Sequence, residues 1–160
     1  YVDKHPGEIR TLDEKVIGRH EGIVFYTIGQ RQGLGIGGLR ECSDDPWYVA
    51  GKDTTTNVLY VVQGGQHPAL YRQGLLASQL HWIGASAPAV PFTCQARIRH
   101  RQPLQACTIT ALKGDRCTVR FDTAQRAVAA GQSVVFYTDE VCLGGGIIET
   151  GLSDNEIEKQ

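Results

Sequence analysis

Two segments of this 160-residue chain carry side chains whose types and spacing suit recognition of an anionic partner. The first, residues 26–38 (YTIGQRQGLGIGG), places five glycines around Gln30 and Arg31. Glycines at this density let a backbone turn sharply or approach a ligand closely. Gln and Arg supply hydrogen-bond donors of defined geometry, and Arg suits planar or phosphate groups. The combination indicates a binding segment rather than a simple connection between two strands.

The second segment is a strand pattern that begins at Phe92 and alternates apolar with polar residues. If the strand continues, Arg97, Arg99 and Arg101 project from one face about 7 Å apart, given a rise of about 3.4 Å per residue. This spacing is comparable with that of phosphates along a nucleic-acid strand, and nearby acids are few. The alternative interpretation is a solvated outer face that pairs with carboxylates of neighbouring strands.

Two further side chains and one glycine run complete the candidate binding features. His100 could stack on a ligand or hydrogen-bond to it, or it could be an ordinary surface histidine. Gln132 precedes an apolar strand and could contact a base or ribose edge, the alternative being a turn residue that caps the strand. Residues 144–146 are three glycines inside a strand pattern, which indicates a bulge or a close backbone approach. Neither glycine segment matches a phosphate loop or a dinucleotide fingerprint.

The cysteines give no clear sign of catalysis or metal binding. They are odd in number and dispersed, which argues against a disulfide framework and a tetrahedral zinc site. Three of them alternate with apolar residues and are predicted to be buried thiols, whereas Cys142 borders the glycine run and leaves an independent thiol enzyme as a weaker alternative. The sequence therefore predicts no catalytic residue and no metal ligand in this chain. The five cysteines are Cys42, Cys94, Cys107, Cys117 and Cys142.

Composition limits the kind of partner that the chain could bind. A formal net charge of −1 excludes a uniformly basic nucleic-acid binder, so such a role needs a local patch. Residues 79–150 form the basic part, with seven Lys and Arg against five Asp and Glu. No apolar run approaches about 18 residues and the start is polar, so we expect neither a transmembrane helix nor a signal peptide. The absence of methionine favours a fragment of a longer protein.

The elements that would hold these residues fall into two predicted domains. Residues 1–78 contain a hairpin around residues 12–14, an apolar segment at 23–28 that fits a buried strand or a short helix, and strands near 47–50 and 57–62. Residues 79–150 contain five short strands at regular spacing, which predicts an antiparallel barrel or sandwich. Residues 151–160 are polar and are predicted to form a frayed tail.

Six segments, in order along the chain, resemble the C-terminal part of the bacterial tRNA-specific 2-thiouridylase family. The resemblance implies a mainly β fold, with a small central α+β tRNA-binding domain in residues 1–78. It also implies that residues 79–150 form an antiparallel β-barrel similar to the second domain of elongation factor Tu. The segments are 26–38 (YTIGQRQGLGIGG), 47–53 (WYVAGKD), 57–61 (NVLYV), 67–71 (HPALY), 99–102 (RHRQ) and 131–148 (GQSVVFYTDEVCLGGGII).

The resemblance also implies a reaction for the parent protein. Members of the family are tRNA-uridine 2-sulfurtransferases that use ATP and Mg²⁺ to adenylate the oxygen on C2 of the wobble uridine, U34, and a cysteine persulfide to deliver sulfur. The SGGxDS-type loop that binds ATP in the family is absent from this sequence. The catalytic loop and catalytic cysteines are therefore expected outside this chain, which alone should be inactive and hold no cofactor.

Site residues and partners follow from the same resemblance. The tRNA contacts that it implies are Arg99, His100 and Gln132, and the residue patterns add Arg97, Arg101, Gln30 and Arg31. Expected partners are tRNA, the N-terminal catalytic domain of the same protein and a sulfur-relay protein, in the cytoplasm and without a membrane. The alternative is a structural or docking module for the catalytic domain or for a sulfur-carrier protein.

Overall fold

The computed structural model describes residues 5–31, 45–84 and 86–160, which belong to two compact units. The units are Tyr1–Leu70 and Tyr71–Gln160. The boundary predicted near residue 78 instead falls inside a strand, Tyr71–Trp82, which pairs on both sides with strands of the second unit. The division comes earlier, directly after a 3₁₀ turn at Pro68–Leu70.

The first unit is built on a four-stranded mixed sheet. Its strands are β1 (Gly7–Arg10), β2 (Val16–His20), β3 (Trp47–Asp53) and β4 (Val58–Gln63). Their order is β2-β1-β4-β3, and all neighbours are antiparallel except β1 and β4. The predicted hairpin and the two later strands are confirmed. The described residues of this unit contain 3₁₀ turns but no α-helix.

The segment 23–28, which the sequence left open between strand and helix, forms a 3₁₀ turn followed by extended chain. The turn spans Ile23–Phe25. Residues three apart share a side of a 3₁₀ helix, so Ile23 and Tyr26 both enter the core of the sheet. Val24 and Phe25 remain 64% and 49% exposed. One side of this short turn therefore anchors it, and the other presents apolar surface.

The second unit is a closed antiparallel barrel of six strands, which confirms the predicted mainly β class. The strands are β5 (Tyr71–Trp82), β6 (Phe92–Arg97), β7 (Gln105–Lys113), β8 (Arg116–Arg126), β9 (Ser133–Thr138) and β10 (Val141–Leu152). Their order is β10-β5-β8-β7-β6-β9, and β9 pairs back with β10. Closure leaves no strand edge exposed to another chain.

Alternation along β9 shows how the barrel separates its core from its outer face. Val134 and Phe136 are fully buried, and the ring of Phe136 stacks on Trp82 with ring centroids 5.7 Å apart. Because successive strand residues point to opposite faces, Val135 and Tyr137 lie on the other side and are half-buried. The barrel core therefore fixes the direction in which Tyr137 is presented.

The three glycines of β10 allow close approach of neighbouring strands, as predicted. A Cβ on Gly144 would collide with the carbonyl oxygen of His81, and one on Gly145 with that of Val134. A Cβ on Gly146 would lie 2.6 Å from Ser78 O. The pairing of β10 shifts register beside this run. Only glycine leaves enough space for β10 between its two neighbours.

The last residues are folded and packed, unlike the frayed tail predicted from their polarity. β10 runs to Leu152, and α1 (Asp154–Glu158) follows. The side chains of Ser153 and Glu156 form a capping box at its start. Ile157 is only 5% exposed because its side chain fills the space beside Gly74. This is the one α-helix among the described residues, and no helix there has the length and apolar character needed to cross a bilayer.

Candidate nucleic-acid interface

Most of the predicted site residues of the second unit line one open cleft of about 590 Å³. The cleft is formed by residues 97–100, residues 131–133, Val135 and Tyr137. These segments meet because β6 and β9 are antiparallel, with Arg97 paired opposite Val135. The end of β6 therefore lies beside the turn that precedes β9. The predicted residues Arg97, Arg99, His100 and Gln132 are brought together in this way.

The arginine ladder predicted along the strand from Phe92 is not formed. β6 ends at Arg97, and the next residues enter a turn in which Gln102 N donates to Arg99 O over 3.3 Å. Arg101 adopts a left-handed backbone with φ of 69°, so it does not continue the strand. Arg101 is exposed and does not line the cleft. The arginines therefore do not share one strand face.

Gln102, which sequence reasoning did not select, determines the shape of this turn. The Gln102 Oε1 atom accepts a hydrogen bond of 2.9 Å from Ile98 N, and its Nε2 donates over 2.8 Å to Gln125 Oε1. Gln125 is 4% exposed and donates in turn to Gln105 Oε1 over 3.1 Å. A partly buried network of side-chain amides restrains the backbone to which it is bonded. It holds the segment that presents Arg99 and His100.

Arg97 lies on the outer face of β6, where its guanidinium carbon is 5.3 Å from the centroid of the Tyr137 ring. A cation at this distance from an aromatic ring is attracted to the ring face. Arg97 Nε is buried and, within the described part of the chain, has no hydrogen-bond partner. The guanidinium group is therefore oriented by Tyr137 while one of its donors remains unsatisfied.

Arg99 is bound mainly to the protein itself. Its Nη2 atom donates to Ala127 O over 2.9 Å and also to Arg126 O. Burial, with the nearby Arg126 cation, lowers the pKa of Arg99, although a guanidinium remains charged at neutral pH. Arg99 thus adds positive charge to the cleft and ties the turn after β6 to the chain that follows β8.

Gln132 occupies a turn that β10 holds in place. Gly131 N donates to Ile148 O over 2.8 Å, and Ile148 N donates to Gln132 O over 2.7 Å. Gly131 has φ of 89°, which glycine adopts without strain. Gln132 Oε1 is buried and has no hydrogen-bond partner among the described residues. The backbone is therefore fixed, whereas the amide oxygen on the side chain is unsatisfied.

The cleft has a positive charge that nothing in its lining neutralises. Arg97 and Arg99 contribute two cations and His100 an imidazole ring, and none of the nine lining residues is Asp or Glu. His100 is exposed at the cleft surface. A cleft lined by one sign of charge attracts ligands of the opposite sign. The site therefore suits an anionic ligand.

Gln30 and Arg31, the other predicted contacts, belong to the first unit. Gly29 N donates to Val49 O over 2.8 Å, and Val49 N donates to Gln30 O over 2.9 Å, so this segment is fixed along β3. Gln30 Oε1 accepts a hydrogen bond from Thr27 N over 3.1 Å. Arg31 is exposed. Residues 33–38 of the glycine-rich segment lie outside the described residues.

The described cysteines are buried, except for Cys142, which is half-buried. Cys94 and Cys107 are paired across β6 and β7 with their sulfur atoms 3.7 Å apart. The hydrogen bond that Cys107 donates to Cys94, with burial, raises the pKa of Cys107, and burial raises the pKa of Cys117 to about 12. Cys107 and Cys117 are therefore poor nucleophiles, whereas the same hydrogen bond lowers the pKa of Cys94, whose side chain is buried. Cys42 lies outside the described residues, and no cluster of metal-ligating side chains occurs among those described.

Two family models match the chain, one in each unit. Residues 1–63 match the tRNA methyl transferase PRC-barrel domain, and residues 72–148 match the Aminomethyltransferase beta-barrel domain. The fold and these matches define a two-domain β protein of a tRNA-modifying class. The second match covers the six-stranded barrel up to Ile148, and with it every residue that lines the cleft.

Curated relatives extend these matches over nearly the whole chain. The tRNA-specific 2-thiouridylase MnmA of Marinobacter nauticus is 54% identical over 156 residues, which are 98% of this chain and 40% of the relative. The proteins of the same name from Nitrosomonas eutropha and Proteus mirabilis are 54% and 51% identical, over 92% and 96% of the chain. The chain belongs to the tRNA-specific 2-thiouridylase family, as its sequence segments predicted. It spans about 40% of the length of these relatives.

Proposed function

We propose that this chain is the tRNA-recognition portion of a tRNA-uridine 2-sulfurtransferase and that its barrel cleft binds the RNA backbone. The observation that carries the proposal is the charge of the cleft, whose lining contains Arg97, Arg99 and His100 and no carboxylate. A cleft lined by one sign of charge attracts ligands of the opposite sign, and each phosphate of an RNA backbone carries a negative charge.

The cleft residues have different tasks in this proposal. Arg97 binds a phosphate, since Tyr137 already holds its guanidinium in place and a preorganised donor loses little entropy on binding. Arg99 contributes charge but mainly stabilises the turn through its bonds to backbone carbonyls. His100 is exposed and provides a flat ring for contact with a sugar or a base. Gln30, Arg31 and Arg101 lie outside the cleft and are kept as secondary contacts.

The chemical steps belong, in this proposal, to the N-terminal catalytic domain of the full-length protein. There, ATP and Mg²⁺ would support adenylation of the oxygen on C2 of the U34 base, and sulfur from a cysteine persulfide would replace that oxygen, which leaves with AMP. The residues of this chain do not fit these groups: its sequence lacks the SGGxDS-type loop, and its described residues hold no metal-ligating cluster. The chain alone is accordingly inactive. The full-length protein is cytoplasmic and receives sulfur from a relay protein.

Binding of an unmodified tRNA with U34 tests the proposed RNA-binding role. Arg97→Gln removes the cation that the cleft presents and should weaken binding roughly tenfold or more, the size of a charge-assisted hydrogen bond. Lys113→Gln is the matched control, because it removes one exposed cation that does not line the cleft. Equal affinities for the wild type and Arg97→Gln would contradict the proposal.

A second candidate function is docking to the catalytic domain. The exposed apolar side chains of Val24 and Phe25 on the 3₁₀ turn favour docking. Contiguous apolar surface that faces solvent marks interaction sites when the patch is large enough. Co-purification with a separately produced catalytic domain tests this role. Phe25→Ser should abolish co-purification, whereas Arg97→Gln should leave it unchanged. Retention by Phe25→Ser would argue against docking through this turn.

A further inference from the structure

Two thiols of the barrel core face each other directly across neighbouring strands. Cys94 of β6 and Cys107 of β7 are partners in the antiparallel register, and their sulfur atoms lie 3.7 Å apart. Among the described cysteines, this is the only pair whose sulfur atoms are in contact. Neither residue lines the cleft, so the proposed RNA-binding role does not use them.

The backbone at this pair suits a disulfide bond. Directly opposite residues of an antiparallel pair have Cα atoms about 4.5–5.5 Å apart, which lies within the range of about 4.4–6.8 Å that disulfides span. The register between β6 and β7 has no shift over residues 92–96, so no bulge turns the two side chains apart. To form the bond, the sulfur atoms must approach from 3.7 Å to about 2.05 Å.

The two thiols differ in the way that a two-step oxidation requires. The thiolate is the reactive form of cysteine, and its oxidation also depends on access. The hydrogen bond from Cys107 lowers the pKa of Cys94, which keeps 6% of its surface exposed. The same hydrogen bond, with burial, raises the pKa of Cys107, which is fully buried. Cys94 is therefore the sulfur that reacts first, and Cys107 is the thiol that attacks its product.

We propose that Cys94 and Cys107 form a reversible oxidation site for a small oxidant, hydrogen peroxide. The Cys94 thiolate attacks one peroxide oxygen, the O–O bond breaks, and hydroxide leaves and takes up a proton to become water. The sulfur of Cys107 then attacks the sulfur of the resulting sulfenic acid. The S–O bond breaks, a second water leaves with the Cys107 proton, and the disulfide forms. The two thiols together lose two electrons, which reduce one peroxide to two waters.

The bond joins two neighbouring strands of the barrel from its interior. It closes residues 94–107 into a loop in the unfolded chain, and a cross-link of this kind stabilises a fold by restricting the unfolded state. Arg97 lies on the opposite face of β6 from Cys94, because successive strand residues alternate. Oxidation should therefore stabilise the barrel and leave the lining of the cleft in place.

Peptide mapping of the folded chain after treatment with hydrogen peroxide tests the proposal. The remaining thiols are blocked in urea before digestion. Trypsin cleaves after Lys and Arg, so it releases Cys94 in residues 73–97 and Cys107 in residues 102–113. We expect these two peptides, joined and lighter by two hydrogen atoms, as the main disulfide product. Dithiothreitol should restore the separate peptides, and the oxidised chain should unfold at a higher urea concentration than the reduced chain.

Single substitutions assign the role of each thiol. Cys107→Ala removes the second thiol, so peroxide should leave a sulfenic acid on Cys94 that dimedone traps when the chain is unfolded in urea. Cys94→Ala should leave Cys107 unmodified at the same peroxide concentration, because its thiolate is scarce and its sulfur is enclosed. Cys117→Ala is the matched control, since it removes another buried thiol of the same core and should leave the disulfide unchanged.

Several results would overturn this assignment, and none of them depends on RNA binding. One is a folded wild type in which peroxide oxidises Cys142 while Cys94 and Cys107 remain thiols. Another is a main disulfide that includes Cys117 or Cys142. Oxidation of Cys107 in the Cys94→Ala variant at the wild-type rate would overturn the order of the two steps. An oxidised chain with the urea midpoint of the reduced chain would overturn the stabilising effect of the bond.

Discussion

Arg97 and Tyr137 face each other across two paired strands, with the guanidinium carbon 5.3 Å from the centre of the phenol ring. The pairing of Arg97 with Val135 brings the two side chains to the same outer face of the barrel. The buried side of β9, with Phe136, fixes the direction of Tyr137. The barrel core thus orients the one cleft cation whose Nε has no protein partner among the described residues.

Removing the ring beneath Arg97 should weaken RNA binding without unfolding the barrel. Tyr137→Leu loses a cation–π contact worth about 0.5–1 kcal/mol, so tRNA affinity should fall roughly two- to fivefold. Tyr137→Phe keeps the ring face and should bind like the wild type. The check is a fluorescence titration with unmodified tRNA for the three proteins. A loss in Tyr137→Phe equal to that in Tyr137→Leu would show that the hydroxyl, not the ring, matters.

Arg99 should matter more for stability than for RNA contact. Arg99→Gln removes hydrogen bonds from a cation to the carbonyls of Arg126 and Ala127, so the free energy of unfolding should fall by about 1–3 kcal/mol. Urea denaturation followed by tryptophan fluorescence measures the change. Lys113→Gln, which removes an exposed cation outside the cleft, is the control and should leave the urea midpoint unchanged. A wild-type midpoint for Arg99→Gln would contradict the structural role.

The glycine run of β10 should tolerate no side chain. Gly145→Ala places a methyl group against the carbonyl oxygen of Val134 in the neighbouring strand β9. Overpacking of this kind costs about 1–3 kcal/mol or more. Gly114→Ala is the comparison variant. Its backbone has φ of 61° but no atom lies within 4 Å of the new Cβ, so this variant measures backbone strain without a steric collision. Thermal melting should show a larger drop for Gly145→Ala, and equal drops would contradict this explanation.

Thiol reactivity should follow burial. Burial raises the pKa of Cys117 from 9.0 to about 12, so its thiolate is scarce in the folded protein at pH 8. Iodoacetamide at that pH should modify Cys142 before Cys94, Cys107 and Cys117, as peptide mass spectrometry would show. Cys142→Ser should retain full tRNA binding. Selective, fast labelling of a buried cysteine would contradict this prediction.

The same shift in the Cys117 pKa makes stability depend on pH. The unfolded thiol loses its proton near its ordinary pKa of 9.0, whereas the folded thiol keeps it until about 12. Stability is therefore unaffected by this group below pH 9 and falls as pH rises between about 9 and 12. Urea midpoints measured across this range should decline less in Cys117→Ala than in the wild type. Parallel declines would contradict the assignment to Cys117.

Period-two alternation was enough to predict the barrel strands but not where β6 ends. Because arginines continue at every second position after Arg97, the sequence predicted a single strand with Arg97, Arg99 and Arg101 on the same face. The amide of Gln102, which binds Ile98 N, and the left-handed backbone of Arg101 end the strand instead. The meeting of residues 97–100 with residues 131–133 depends on β6 pairing with β9. These strands are not consecutive, and no local pattern specifies that pairing.

The sequence contains the residues that start and anchor the C-terminal helix α1, although the polarity of this segment led to the prediction of a frayed tail. Ser153 and Glu156 have the spacing of a capping box, and Ile157 is the single apolar residue that such a short helix needs to dock. The polarity of the neighbouring residues suggested a frayed tail. Tyr137 was missed for a different reason, because its role comes from the partner that another strand places over its ring.

The salt dependence of tRNA binding tests the central claim that Arg97 contacts an RNA phosphate. The logarithm of affinity falls linearly with that of salt concentration, by about 0.7–0.9 for each phosphate contact. The slope for Arg97→Gln should be smaller than the wild-type slope by about this amount, whereas Lys113→Gln should match the wild type. An unchanged slope for Arg97→Gln, with wild-type affinity at every salt concentration, would show that the cleft does not bind the RNA backbone.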